Sequence, residues 1–171
     1  MSFQAARPLD AWNWLILPGL TGLAATILLV LPFRLFGFSL PEPVFILVPA
    51  FVWAVVRPSI LPPLILLVLG LSLDFLWGAP LGLWPLSLLA GYSGVLLTRS
   101  FASGQGRTAN WIWFGLMCLL VQLVAYLITV MTTHVAPNLV ASGWQWLAST
   151  ALYPFADRLI ERFEDTDVRF R

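Results

Sequence analysis

The sequence predicts an all-α integral membrane protein, six transmembrane helices in one bundle. Three observations carry this. The chain is 60% hydrophobic and only 10% charged, against roughly 25% charged residues in a soluble domain. Its mean hydropathy is +0.89. Its apolar residues gather into six runs separated by Pro, Gly or Arg punctuation rather than spreading as short alternating strands. At 171 residues the chain forms one domain, 1–171.

The first span covers about 12–33. Trp12 and Trp14 open it and suit a membrane interface, and Arg34 closes it. It does not read as a cleaved signal, whose apolar region is roughly 7–15 residues long and ends in a small-residue cleavage site. The second span, 41–56, follows Pro41-Glu42-Pro43. It is short for a bilayer needing about 20 residues, and Pro49 inside it predicts a kink or a shortened helix. Arg57-Pro58 turns the chain into the third span, 59–77. Pro62 and Pro63 fall in its first turn, where a missing N–H costs least. Gly78-Ala-Pro80-Leu-Gly82 leads into the fourth span, 80–98. Residues 99–110 form the clearly hydrophilic loop. The fifth span, 111–133, is the strongest, and the sixth, 137–154, ends at Pro154. A charged amphipathic tail, 155–171, completes the chain.

Six spans put both termini on one side. Arg7, Arg57, Arg99, Arg107, Arg158, Arg162, Arg169 and Arg171 then share that side, leaving Arg34 opposite. The positive-inside rule makes it the cytoplasm. Five spans would split the arginines evenly. The net charge of +1 and the lack of a basic patch leave no case for a nucleic-acid partner. A single Cys excludes an intramolecular disulfide, a single Cys and a single His argue against a Cys- or His-based metal site, and no cofactor motif is present.

Asp74 is the acidic residue set deepest in apolar sequence. Such a charge asks for a partner. One candidate is the amide set of Leu81, Gly82 and Leu83 at the start of the next helix, which Pro80 opens. The other is Arg34, across the outer side. The structural reading is a clasp on the turn; the functional one is a proton or ion site.

Small and weakly polar stripes mark packing faces in lipid. The fourth span carries Leu83, Ser87, Ala90, Gly91, Gly94 and Thr98; the fifth Gly115, Cys118, Gln122, Ala125, Thr129 and Thr132; the sixth Ser142, Gln145 and Ser149. Internal packing is the simplest role. The face with Ser87, Gly91 and Gly94 is the best candidate for docking a partner helix, because glycine lets a foreign backbone approach closely.

Gly91-Tyr-Ser93-Gly94 matches the G-x-S-G pattern of rhomboid proteases, with His134 as candidate base. Opposed span directions place the two on the order of 20 Å apart, so Ser93 is a packing residue and no dyad forms. His134-x-x-x-Asn138 has a likeness to CAAX-type intramembrane proteases, but the paired glutamates they need are missing.

The stretch Gly70-Leu-Ser-Leu-Asp74-Phe-Leu-Trp-Gly78-Ala-Pro80-Leu-Gly82 resembles the G-L-x-x-D-x-x-x-G-x-P-x-G signature of the MreD family of rod shape-determining membrane proteins. Gly91-Tyr92 and the ending Ser149-Thr-Ala-Leu-Tyr-Pro154 are similar to later motifs of that family. The second span, short and holding Pro49, departs from the pattern. The resemblance implies a fold like the substrate-binding subunits of energy-coupling-factor transporters. It implies a non-enzymatic scaffold of the bacterial cell-elongation machinery, in the inner membrane with both termini cytoplasmic. The implied partners are an MreC-like single-pass periplasmic protein and, beside it, MreB, RodA, a class B penicillin-binding transpeptidase and membrane lipid. Asp74, Gly78, Pro80 and Gly82 would be its structural motif. The alternative is a transporter subunit binding a small solute between its helices.

Overall fold

The structure, a computed structural model, describes residues 15–30, 34–35, 38–39, 43–56, 58–102 and 106–168, without the side chains of 29–30, 34–35, 38–39, 100–102 and 162–168. Trp12, Trp14, Arg57 and residues 169–171 lie outside this set, as does the Arg34 side chain.

The described residues form seven helices: α1 Leu17–Val30, α2 Leu47–Val56, α3 Leu61–Trp77, α4 Leu83–Ala102, α5 Arg107–Thr133, α6 Leu139–Thr150 and α7 Tyr153–Val168. A minimal antiparallel ribbon, β1 Arg34–Leu35 and β2 Phe38–Ser39, pairs Arg34 with Ser39 and Leu35 with Phe38 between α1 and α2. The all-helical class read from the sequence is therefore what the described residues form, apart from this ribbon. By length and composition, α5 is the one helix among the described residues long and apolar enough to cross a membrane; α2, α3 and the Leu17–Leu28 part of α1 are apolar but shorter.

The shortest helices at expected spans are α2, with 10 residues, and α6, with 12. Each has a local cause. Pro49 is the third residue of α2, so it sits in the first turn and shortens the helix without kinking it. At the end of α6, Leu152 N–H donates to Ser149 O and Phe155 N–H to Leu152 O, a turn that lets Pro154 start α7 where its missing N–H is harmless.

Helix α2 is the centre of the bundle. Every residue from Leu47 to Ala54 is buried, as expected of a helix that is apolar all round. It touches α1, α3, α4, α5 and α7. Phe51 meets Phe114 of α5 edge to face at 5.3 Å, and Phe45 meets Phe155 of α7 in the same way at 5.8 Å. The N–H of Val44, just before the helix, donates to Ser149 Oγ of α6 at 3.1 Å in a buried setting. Without that hydroxyl the amide would be orphaned.

The segment read as a tail is not free of the bundle. Ala156 and Ile160 are buried and Phe155 packs on Phe45, so α7 lays its apolar face along α2. The outward side of α5 carries a continuous exposed aliphatic stripe, Ile112, Leu116, Leu119, Leu123 and Leu127. Exposed Leu61, Leu64, Val68 and Phe75 run likewise down α3.

Candidate functional site

The turn between α3 and α4 holds the sequence signature. α3 ends because Gly78 takes the left-handed conformation, φ 61°, which costs glycine least. Gly82 is also left-handed, φ 94°, and precedes the first residue of α4. A glycine at that cap position has no side chain to receive the free amides of the helix start. Asp74 supplies one from the neighbouring helix. Its Oδ2 accepts the Gly82 N–H at 2.6 Å and its Oδ1 accepts the Trp84 N–H at 2.9 Å. The Leu83 N–H donates to Pro80 O at 3.1 Å, and Pro85 has no N–H. All four opening positions of α4 are thereby accounted for.

Asp74 also shapes the other side of the turn. Its backbone carbonyl accepts from Gly78 N–H and, at 3.0 Å, from Ala79 N–H. The residue is 1% exposed. Both carboxylate bonds run to backbone amides of the turn it closes, assisted by the positive end of α4. The amide set read from sequence as Leu81, Gly82 and Leu83 is in fact Gly82 and Trp84. The difference arises because left-handed Gly82 delays the helix start from Pro80 to Leu83.

The face of α4 carrying Ser87, Gly91 and Gly94 is filled from within the chain. Ser87 is fully buried and donates its hydroxyl to Leu83 O at 2.7 Å. A Cβ built on Gly91 would collide with Val121 Cγ2 of α5, and one on Gly94 would stand 2.7 Å from Leu120 Cδ2. The expectation that this face docks a partner is therefore corrected: α5 already uses the close approach that the glycines allow.

Between α5 and α6, Gln122 Nε2 donates to Gln145 Oε1 at 2.9 Å, and Trp146 Nε1 donates to the Gly115 carbonyl at 3.0 Å. Ser93 is exposed on α4. Its neighbour Gly91 packs level with Val121, and His134 lies 13 residues further along the chain, roughly 20 Å away. His134 instead caps α5 with φ 55°, donating its N–H to Val130 O, and Asn138 caps α6 by accepting from Val140 N–H at 2.9 Å. The structure does not bring Ser93 and His134 together.

The opposite end of the bundle holds a charge cluster that sequence reading missed. Arg107 opens α5, an unfavourable place for a cation. Two carboxylates from α7 offset this: Asp157 Oδ2 lies 2.7 Å from Arg107 Nε and Glu161 Oε1 2.7 Å from Nη2. Hydrogen bonding to Glu161 and the charge of Asp157 hold the Arg107 guanidinium above its usual range. The Tyr153 hydroxyl lies 3.0 Å from the Arg107 carbonyl and 3.2 Å from Asp157 Oδ1. The sequence signal was the i, i+4 spacing of Asp157 and Glu161 on one face of a helix; the arginine they meet is 54 positions from Glu161.

No family model, curated protein or solved structure matches this chain.

Proposed function

We propose that this chain is a six-span integral membrane protein of the MreD kind, a non-enzymatic scaffold of the bacterial cell-elongation machinery. The observation that carries the reading is the Asp74 hairpin. The residues of the signature that resembles that family's serve backbone geometry: Gly78 and Gly82 take left-handed turns, and Asp74 is engaged by the amides of Gly82 and Trp84. A motif used to fix the angle between two helices is what a protein acting by contact needs.

The membrane placement is supported by the aliphatic stripes on α3 and α5, since contiguous exposed apolar surface of that extent marks an interaction or lipid surface. Arg99 at the end of α4, Arg107 at the start of α5 and Arg158 on α7 lie toward the same end of the helix pairs, which fits a cytoplasmic face. The short α6 fits a crossing as one broken unit with the start of α7, while α2 begins beside Ser149 and Phe155 at the Arg107 end of the bundle, so a separate crossing by α2 rests on its apolar sequence alone. The open face for a partner is on α6, which packs on α5 and leaves Gly143 with nothing within 4 Å of an added Cβ.

The test is affinity purification of the tagged full chain from rod-shaped bacteria in mild detergent. The expected companion is a single-pass, periplasmic MreC-like protein, and depletion of the chain rounds the cells. Recovery of a transport ATPase module in its place would favour the solute-binding alternative and reject the scaffold.

A further inference from the structure

Helices α1, α2 and α7 leave a groove of about 350 Å³ between them. Its α1 wall includes the small residues Thr21, Gly22 and Ala25, and Phe45, just before α2, and Phe155 of α7 line it as well. The Thr21 hydroxyl is turned back onto its own helix, donating toward Leu17 O at 2.9 Å and Pro18 O at 3.1 Å, so it offers no free donor to a guest. What remains is an apolar slot with a single charged side chain, Arg158. A polar solute would need several convergent donors and acceptors, which this lining lacks.

Arg158 is exposed and has no ion-pair partner among the described residues. The acidic groups beside it on α7, Asp157 and Glu161, are both taken by Arg107. The same pairs fix its depth. Arg107 begins the long apolar helix α5, so the level of Asp157 is where apolar surface gives way to polar. Arg158 stands at that level, and Phe155 lies almost one turn nearer to α6, toward the apolar interior.

We infer that this groove binds one anionic glycerophospholipid, its phosphate on Arg158 and one acyl chain laid between Gly22, Ala25, Phe45 and Phe155. The inference rests on the membrane reading above. The guanidinium matches a phosphate geometrically and electrostatically. The slot beneath it accepts methylenes and little else.

The experiment uses delipidated full-length protein in dodecyl maltoside, titrated with dioleoyl-phosphatidylglycerol or dioleoyl-phosphatidylcholine and read by native mass spectrometry. Phosphatidylglycerol should bind about fivefold more tightly, the weight of one arginine near an anionic headgroup. Arg158→Gln should erase that preference and Arg158→Lys should keep most of it. Both are surface changes that leave the bundle intact. Ala25→Trp, which fills the slot, should weaken both lipids alike. Equal binding of the two lipids, or a preference that survives Arg158→Gln, overturns the inference. So does inorganic phosphate that binds alone with the same Arg158 dependence, since a free anion would then be the guest. Carbonate extraction of the expressing membranes separates the two readings. A chain released into water ends the membrane reading itself; a chain retained but indifferent to headgroup ends only the lipid site.

Discussion

Gly70 of α3 and Pro85 of α4 approach so closely that a Cβ on Gly70 would lie 2.6 Å from both the Cα and the nitrogen of Pro85. Both atoms are backbone and cannot swing away. The pairing is chemically apt, because the proline buried against the glycine brings no N–H that would need a partner. It follows that Gly70→Ala should cost about 3 kcal/mol, at the upper end for forced overpacking. Gly78→Ala meets open space and suffers only its left-handed φ of 61°, a penalty of about 1 kcal/mol. Thermal unfolding in detergent should rank Gly70→Ala clearly below Gly78→Ala. The reverse order would mean that the helices separate freely at this point.

Removing the Asp74 carboxylate leaves the amides of Gly82 and Trp84 without acceptors. At about 1–3 kcal/mol for each buried orphan, Asp74→Leu should destabilise by about 4 kcal/mol and lower the amount of protein in the membrane. Asp74→Asn keeps one acceptor oxygen and should lose roughly half as much. Normal amounts of an inactive Asp74→Asn protein would point to a need for the charge itself, and so to an ion or proton role.

The α4 and α6 glycines should fail differently. Gly91→Leu drives a side chain into Val121 of α5, so it should reduce folded protein and partner recovery together. Gly143→Leu meets nothing within 4 Å. It should leave the amount of protein unchanged and weaken capture of the MreC-like partner by about tenfold, or 1.4 kcal/mol. Partner recovery that is indifferent to Gly143→Leu would exclude the α6 face.

Orientation is checked by reporter fusions. Fusions after Gly104 and after Arg171 should both report the cytoplasm, and one after Pro137 the periplasm. A periplasmic signal from the C-terminal fusion is incompatible with six spans.

Much of this arrangement was legible in the sequence because it depends on local chemistry. Pro62 and Pro63 marked the start of α3, Gly78 marked its end, and a buried Asp beside a helix start announced a cap. Of the expected amide partners Gly82 is engaged, but Trp84 stands in place of Leu81 and Leu83, because nothing local says that Gly82 is left-handed and holds the helix back to Leu83. The small-residue stripe on α4 was readable as a close-packing face. Its occupant was not, since glycine accommodates a neighbour from the same chain or another equally well. Burial of α2 was hidden for a related reason: Leu47–Val56 is apolar on every side, and lipid and protein interior demand the same residues. The Arg107 pairs with Asp157 and Glu161 were invisible because they join helices distant in sequence.

The central position of α2 has a consequence for biosynthesis. The helix is made early, yet the surfaces that enclose it come from α4, α5 and α7, and its first amide waits for Ser149. At about 5–20 residues per second, the ribosome needs on the order of 5–20 s to travel from Val56 to the end of α7. For that interval α2 lacks most of the surfaces that bury it, so α1 or the folding machinery must shelter it. Assembly of this bundle is therefore completed from the C-terminus backward, and a chain truncated before α7 strands its own core.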